Sequence, residues 1–341
     1  MSRRGLWVFI LGALLLGSAW LAADIYLFLT HPVLDAGASK IFRIEAGASF
    51  HEIARDLEKH DLLSRSVYWT LLARLQGKAR SIKAGEYNLQ GPLTPQLLLE
   101  RLVSGKTRQF SLTLVEGWTF RQVLDALARH PQIKKTLSNT EDVMALLGKP
   151  GMHPEGWFFP DTYHFPRGTT DLNFLRRSHK VMRQRLRALW KTRDSCLPLA
   201  RPYQALILAS IVEKETAIPE ERPLIAAVFM ARLKKGMRLQ TDPTVVYGLG
   251  NRYNGDIRYR DMRQDTPYNT YVHKGLPPTP IGMPSEDSLE AVLRPAATDA
   301  LYFVAKRDGH HQFSVTYEEH RKAVIKYQLS DGNTQQKTSD K

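Results

Sequence analysis

Of 341 residues only Cys196 is a cysteine, so the chain can form no internal disulfide and cannot build a cysteine-rich zinc site. No HExxH pattern occurs, and His310 and His311 are adjacent after a glycine, a spacing that suits a turn rather than two ligands on one face. A Gly-rich phosphate loop is missing. So is a GxSxG elbow, and Ser210 sits in a helical run, which argues against a serine hydrolase. The formal net charge of +14 and isoelectric point near 9.8 would suit nucleic acid. However, no basic block is interleaved with aromatics in a nucleic-acid-binding pattern, and a basic surface beside an anionic membrane is the simpler account. No cofactor, no metal and no nucleic-acid partner is therefore expected. Hydrophobic residues at 43% and charged residues at 24% are ordinary for a globular protein long enough for a sizeable core.

What is present begins at the N-terminus. Arg3 and Arg4 precede Leu6 to Ala23, an uncharged apolar run about long enough to span a bilayer core, and Ile25 to Leu29 extend it beyond Asp24. The arginines place residues 1–5 in the cytoplasm and the chain after Thr30 on the other side. Gly17, Ser18 and Ala19 resemble a signal-peptide cleavage site, but apolar and aromatic residues continue past them, so an uncleaved anchor over 6–29 is expected.

An internal repeat follows. Phe42, Ile44, Gly47, Ser49 and Phe50, continued by Ile53 and Leu57, match Leu112, Leu114, Gly117, Thr119 and Phe120, continued by Val123 and Leu127. Each copy reads as an alternating strand, a glycine turn, a Ser or Thr helix cap and an amphipathic helix. Further helices are expected over 66–75, 94–104, 172–191 and 222–235, and strands over 84–89, 301–305 and 312–315, the last two paired. Trp157, Phe158, Phe159, Pro160 and Tyr163 fit either a core cluster or a sugar-stacking wall. The segment 240–284 is rich in Pro, Gly, Asn, Asp and Tyr and reads as loops, where binding groups concentrate. The polar tail from Ser330 is expected to be disordered.

The run from Ile207 to Ala217, ILASIVEKETA, is helical and apolar nearly all round until two glutamates appear at its end. At 100° per residue Glu215 shares a face with Leu208, Ile211 and Val212, while Glu213 lies nearly opposite. The two carboxylates cannot converge on one atom. Burial raises a glutamate pKa and can hold a proton near neutral pH, which general-acid chemistry requires, but both faces are apolar and periodicity barely separates the two. Pairing of both with surface lysines is the alternative.

Seven stretches, LVEGWTF (114–120), EGWFFPDTY (155–163), ASIVEKET (209–216), GMRLQTDPTVVYGLG (236–250), RYNGDI (252–257), TPYNTYVHKGLPP (266–278) and LYFVA (301–305), resemble in order the YceG/MltG family of membrane-anchored endolytic murein transglycosylases. The likeness runs from about residue 40 to 328. With an α+β fold, the chain is expected to comprise a transmembrane helix, a strand-helix subdomain over 40–109 whose first repeat copy and helices over 50–58 and 66–75 resemble a glycan-gripping LysM-like module or else merely pack against the catalytic domain, and a mixed helix and strand catalytic domain over 110–328, in which 110–150 carries the second repeat. The family resemblance implies cleavage of the β-1,4 bond between N-acetylmuramic acid and N-acetylglucosamine, leaving 1,6-anhydro ends, by a single acid at Glu215. Gln240, Thr241, Asp242, Tyr268, Asn269 and Thr270 are then the substrate-binding candidates. Asp242 has turn capping, and Tyr268 loop packing, as alternative roles. The implied partners are peptidoglycan glycan strands, the inner membrane as a single-pass anchor with a periplasmic catalytic domain, and wall synthases of the penicillin-binding class. A non-catalytic wall-binding scaffold that recruits synthases shares the same fold and location.

Overall fold

The computed structural model describes residues 3–45, 47–139 and 142–329; the expected disordered tail lies outside them. It is a mixed α+β chain of two compact units, Met1–Ser111 with His164–Thr169, and Leu112–Tyr163 with Thr170–Lys341.

The first unit starts with helix α1 (Arg3–Thr30). Its stretch Ile10–Thr30, of mean hydropathy 1.8, is long and apolar enough to cross a membrane. Leu11, Leu14, Leu15, Leu16 and Trp20 are exposed around it, as an all-apolar helix in lipid would be. Its last turns, which include the expected extension over 25–29, also make contacts with the folded unit. Asp24 pairs with Arg65 and accepts a 2.9 Å hydrogen bond from Tyr68, and Phe28 is buried edge-on against Tyr68. The end of the apolar run thus packs on the folded unit.

Next come β1 (Ser39–Ile44), α2 (Phe50–Lys59), α3 (Ser66–Leu75), β2 (Gly85–Gln90) and α4 (Pro95–Ser104). β1 and β2 pair antiparallel, from Ser39 opposite Gln90 to Ile44 opposite Gly85. Alternation turns Phe42 and Ile44 into the core and leaves Ile41 and Arg43 outward. Ser49 and Glu52 form the capping box that starts α2, and Thr94 caps α4 with Pro95 in its first turn. Leu57, Leu98 and Leu102 are fully buried, each contributing roughly 1.5–3 kcal/mol. Trp69 joins them without an orphaned polar atom, its indole N–H donating to the Pro95 carbonyl at 3.0 Å.

The local theme recurs along the chain with a different strand partner. β3 (Gln109–Thr113) leads into α5 (Phe120–Arg129), capped by a Thr119–Gln122 box, and after the single turn α6 (Val143–Leu146) β3 pairs with β4 (Thr162–Pro166). Trp157, Phe158, Phe159 and Tyr163 are buried, so this cluster is core and no sugar-stacking wall. Helices α7 (Asp171–Lys191), α8 (Pro202–Glu215) and α9 (Arg222–Lys234) follow. The segment 240–284 holds α10 (Asp242–Leu249) and the short α11 (Tyr259–Met262) between loops. The chain then adds α12 (Glu286–Leu293), the antiparallel hairpin of β5 (Tyr302–Ala305) and β6 (His311–Ser314), and α13 (Tyr317–Val324).

α8 is the central helix. Every residue from Ala205 to Val212 is buried, against α7, α9, α10 and α12, which explains its all-round apolarity. Its one buried hydroxyl, on Ser210, donates to Ile207 O at 2.7 Å and accepts from Ile281 N at 3.0 Å. That second bond ties the helix to the 281–283 segment, which also pairs with the glycine turn of the second repeat. Gly117 N donates to Met283 O at 2.8 Å and Met283 N to Trp118 O at 2.7 Å. Only glycines permit this approach: Gly117 has φ +72°, and a Cβ on Gly282 would lie 2.8 Å from Gly117 O.

Candidate active site

α8 ends at Glu215 because Thr216 turns extended, and the two glutamates of its last turn go opposite ways. The Glu213 carboxylate accepts hydrogen bonds from Ser285 N, at 2.9 Å, and from Ser285 Oγ, and faces Arg222 at 3.4 Å. Ser285 in turn caps α12. Both ionic side chains are at most 8% exposed. Glu213 is a structural anion that fastens α8 to α9 and α12, not a partner of surface lysines.

Glu215 is only partly buried and points at the loop segment. Thr241 occupies the N-cap position of α10, yet its hydroxyl makes no capping bond and instead donates to Glu215 Oε2 at 2.6 Å. The preceding Gln240 is exposed and held at φ +52°, a left-handed conformation unusual outside glycine, and this kink delivers Thr241 to the carboxyl. Burial pushes the Glu215 pKa up and the nearby Asp242 charge adds to this; the Thr241 bond, His311 and Arg232 oppose them. Asp242 itself is exposed and accepts from the Tyr271 hydroxyl at 2.6 Å. His311, one of the two histidines expected in a turn, opens β6 and is bound by Glu221, with Nδ1 2.6 Å from Oε2.

The remaining sequence candidates separate. Tyr268 lines a cavity of 790 Å³, with its hydroxyl 2.9 Å from Thr279 Oγ1 and its ring edge-on to Tyr247 at 4.8 Å. Asn269 and Thr270 are buried and engaged in holding the loops. The Asn269 amide donates to the carbonyls of Asp261, Met262 and Gln264 and accepts from Tyr271 N, while Thr270 Oγ1 accepts from Thr241 N at 3.1 Å. Their polar atoms support Thr241 and Tyr271 rather than face the cavity.

The cavity lining includes Lys214 and Asp242, chain neighbours of Glu215 and Thr241, but not Glu215 itself. It also includes Glu155, which sequence reasoning left unremarked inside EGWFFPDTY. Glu155 is 3% exposed; its carboxyl accepts from Phe120 N at 2.8 Å and from Tyr247 Oη at 2.9 Å, and burial pushes its pKa up to about 7. The usable signal was an acid heading an aromatic run destined for the core, a position where a carboxylate must find donors or keep its proton. Tyr247, Pro243, Val246 and Ile281 add an apolar and aromatic part to the lining, and Thr119, Arg121, Gln122, Gly250 and Asn251 complete it.

Comparison with known proteins bears on this arrangement. A model of the YceG-like family matches residues 42–326. The chain belongs to the YceG-like family. A Bacillus subtilis protein named endolytic murein transglycosylase is 33% identical over 317 residues, covering 86% of both chains. A Streptococcus pneumoniae protein of the same name is 28% identical over 331 residues, spanning 86% of this chain and 60% of its own length. The crystal structure of a yceG-like protein from Listeria monocytogenes superposes with a TM-score of 0.54 at 30% identity, covering 84% of this chain and 99% of the other. The match spans Glu155, both α8 glutamates, Thr241 and Tyr268 alike.

Proposed function

We propose that this YceG-like chain is a membrane-anchored lytic transglycosylase that cleaves the β-1,4 MurNAc–GlcNAc bond of peptidoglycan strands, with Glu215 as its acid. The name shared by the Bacillus and pneumococcal relatives carries the activity. The division between an engaged Glu213 and a Glu215 held by one hydroxyl carries the residue. Burial keeps the Glu215 proton in place at a pH where an ordinary glutamate has lost it. That proton passes to the glycosidic oxygen as the C1–O bond breaks. The carboxylate so formed takes the proton of the muramic C6 hydroxyl while O6 bonds to C1, closing the 1,6-anhydro ring and restoring the acid. Glycoside hydrolases pair two carboxylates because water must be activated; here the substrate brings its own nucleophile.

Thr241 orients the acid, Asp242 and Tyr268 flank the sugar, and Gln240, Asn269 and Thr270 shape the loop that presents them. The β1-α2-α3-β2 arrangement supports reading residues 40–109 as a LysM-like subdomain that adds affinity for the glycan, with 110–328 as the catalytic domain. Wall synthases are the proteins such an enzyme would meet at the membrane.

Digestion of purified murein sacculi with the detergent-solubilised chain tests the activity: anhydro-ended glycans are expected by mass spectrometry, and intact sacculi would leave the scaffold reading. For topology, Arg3 and Arg4 ahead of the apolar run place the N-terminus in the cytoplasm and the bulk of the chain in the periplasm. Protease added to spheroplasts should therefore degrade the chain beyond α1. Full protection, or a soluble species starting near Trp20, would count against an inner-membrane anchor.

A further inference from the structure

The cavity beside the Glu215–Thr241 pair is built in a way that the acid chemistry alone does not require. Its lining includes the apolar or aromatic side chains of Pro243, Val246, Ile281 and the edge-on pair Tyr247 and Tyr268. The same lining holds one deeply buried carboxyl, Glu155, which accepts from Phe120 N and Tyr247 Oη. A carboxylate offers about four acceptor positions. These two bonds and the Gly156 N–H use three of them, so one acceptor position remains. At 790 Å³ the space falls within the range of small-molecule sites.

We propose that this cavity is a saccharide subsite in which the Glu155 carboxyl accepts a hydrogen bond from a hydroxyl or acetamido N–H of an N-acetylhexosamine, whose apolar ring face and acetyl methyl rest on Tyr247, Tyr268, Val246 and Ile281. Pyranoses present this combination of C–H faces and outward donors, and aromatic bodies with fixed polar groups recognise it. A carboxyl with a pKa near 7 suits the role, since in its neutral form it also has a proton to donate. Asp242 on the same lining places the subsite next to the acid, through Thr241. The assignment makes Glu155 a substrate-binding residue and rests on the glycan-cleaving reading. It differs from a purely structural role in which Glu155 only ties the start of α5 to α10.

The test is binding, measured by calorimetry with the full chain in detergent carrying Glu215→Gln so that no ligand is consumed. The probe is a peptide-free N-acetylglucosamine oligomer. Adding Glu155→Gln keeps the size but turns an amide N–H toward one of the donors that hold it, and affinity should fall about tenfold, the usual effect of losing a hydrogen bond to a charged group. Val246→Phe fills the cavity without touching Glu155 and should weaken binding at least as much, so the proposal stays testable even where Glu155→Gln does not fold. Unchanged affinity in variants shown folded by thermal melting overturns it. So does loss confined to stem-peptide-bearing muroglycan with the peptide-free oligomer unaffected, which would make the cavity a peptide site. Failure of the Glu215→Gln parent to bind any glycan would instead remove the glycan-cleaving reading on which the subsite rests.

Discussion

Glu215→Gln is expected to reduce release of anhydro-ended glycans by about 10² to 10⁴, the usual worth of a general acid, and towards the upper end because among the described residues no second carboxylate is joined to it by a hydrogen bond. The amide keeps the volume and still accepts from Thr241 Oγ1, so the loop that meets the helix end is undisturbed. Stability should not fall. The folded carboxyl holds its proton to higher pH than an unfolded glutamate, so between the ordinary carboxylate range and that raised value the folded state binds more protons and loses stability as pH rises. Above that window the wild type carries a partly buried charge that glutamine does not. The same sign governs activity: the proton must be present for the reaction to start, so the rate should decline as pH rises through the raised pKa. Burial, the Thr241 hydroxyl and the charges of Asp242, His311 and Arg232 set where that occurs. A Glu215→Gln chain that melts like wild type yet releases products near the wild-type rate would dismiss both the residue and the one-acid mechanism.

Local features were readable from sequence and distant partners were not. Ser49 and Thr119 announce their helices because a capping box is complete within four residues, and the structure starts α2 and α5 immediately after them. Both repeats look alike in sequence, yet β1 finds β2 and β3 finds β4; that choice rests on segments some 40–50 residues away and on which faces remain to be covered. Likewise 100° spacing separates Glu213 from Glu215, but nothing local says that one meets Ser285, 72 residues on, and the other Thr241, 26 residues on. The 155–163 aromatic run shows the limit most clearly. Composition left it open between core and sugar wall; burial makes it core, and only the glutamate at its head reaches the cavity.

Glu213→Ala should produce the opposite phenotype to Glu215→Gln. Removing one member of a buried ion pair leaves the other charge uncompensated, a loss of about 3–5 kcal/mol in comparable sites. Here Arg222 keeps Asp287 at 3.5 Å and Glu116 at 4.0 Å, both on more exposed side chains, so the lower end, about 3 kcal/mol, is expected. The Ser285 N–H also loses its acceptor at the start of α12, which falls in the same direction. For a unit of this size such a loss lowers the melting temperature by roughly 6–12 °C. The chemical step, measured well below that melting point, should stay within a few-fold of wild type, because the Glu213 carboxylate is engaged by Ser285 and Arg222, whereas Thr241 meets Glu215. Glu213→Gln should lie between, since its carbonyl still accepts from Ser285 while its amide faces Arg222. The decisive comparison is a crossing of two readouts: Glu215→Gln loses rate at constant melting temperature, and Glu213→Ala loses melting temperature at nearly constant rate. A folded Glu213→Ala chain that is a hundredfold slower would mean that the two glutamates act as one catalytic unit, and the assignment of separate roles to the two ends of this turn would fail.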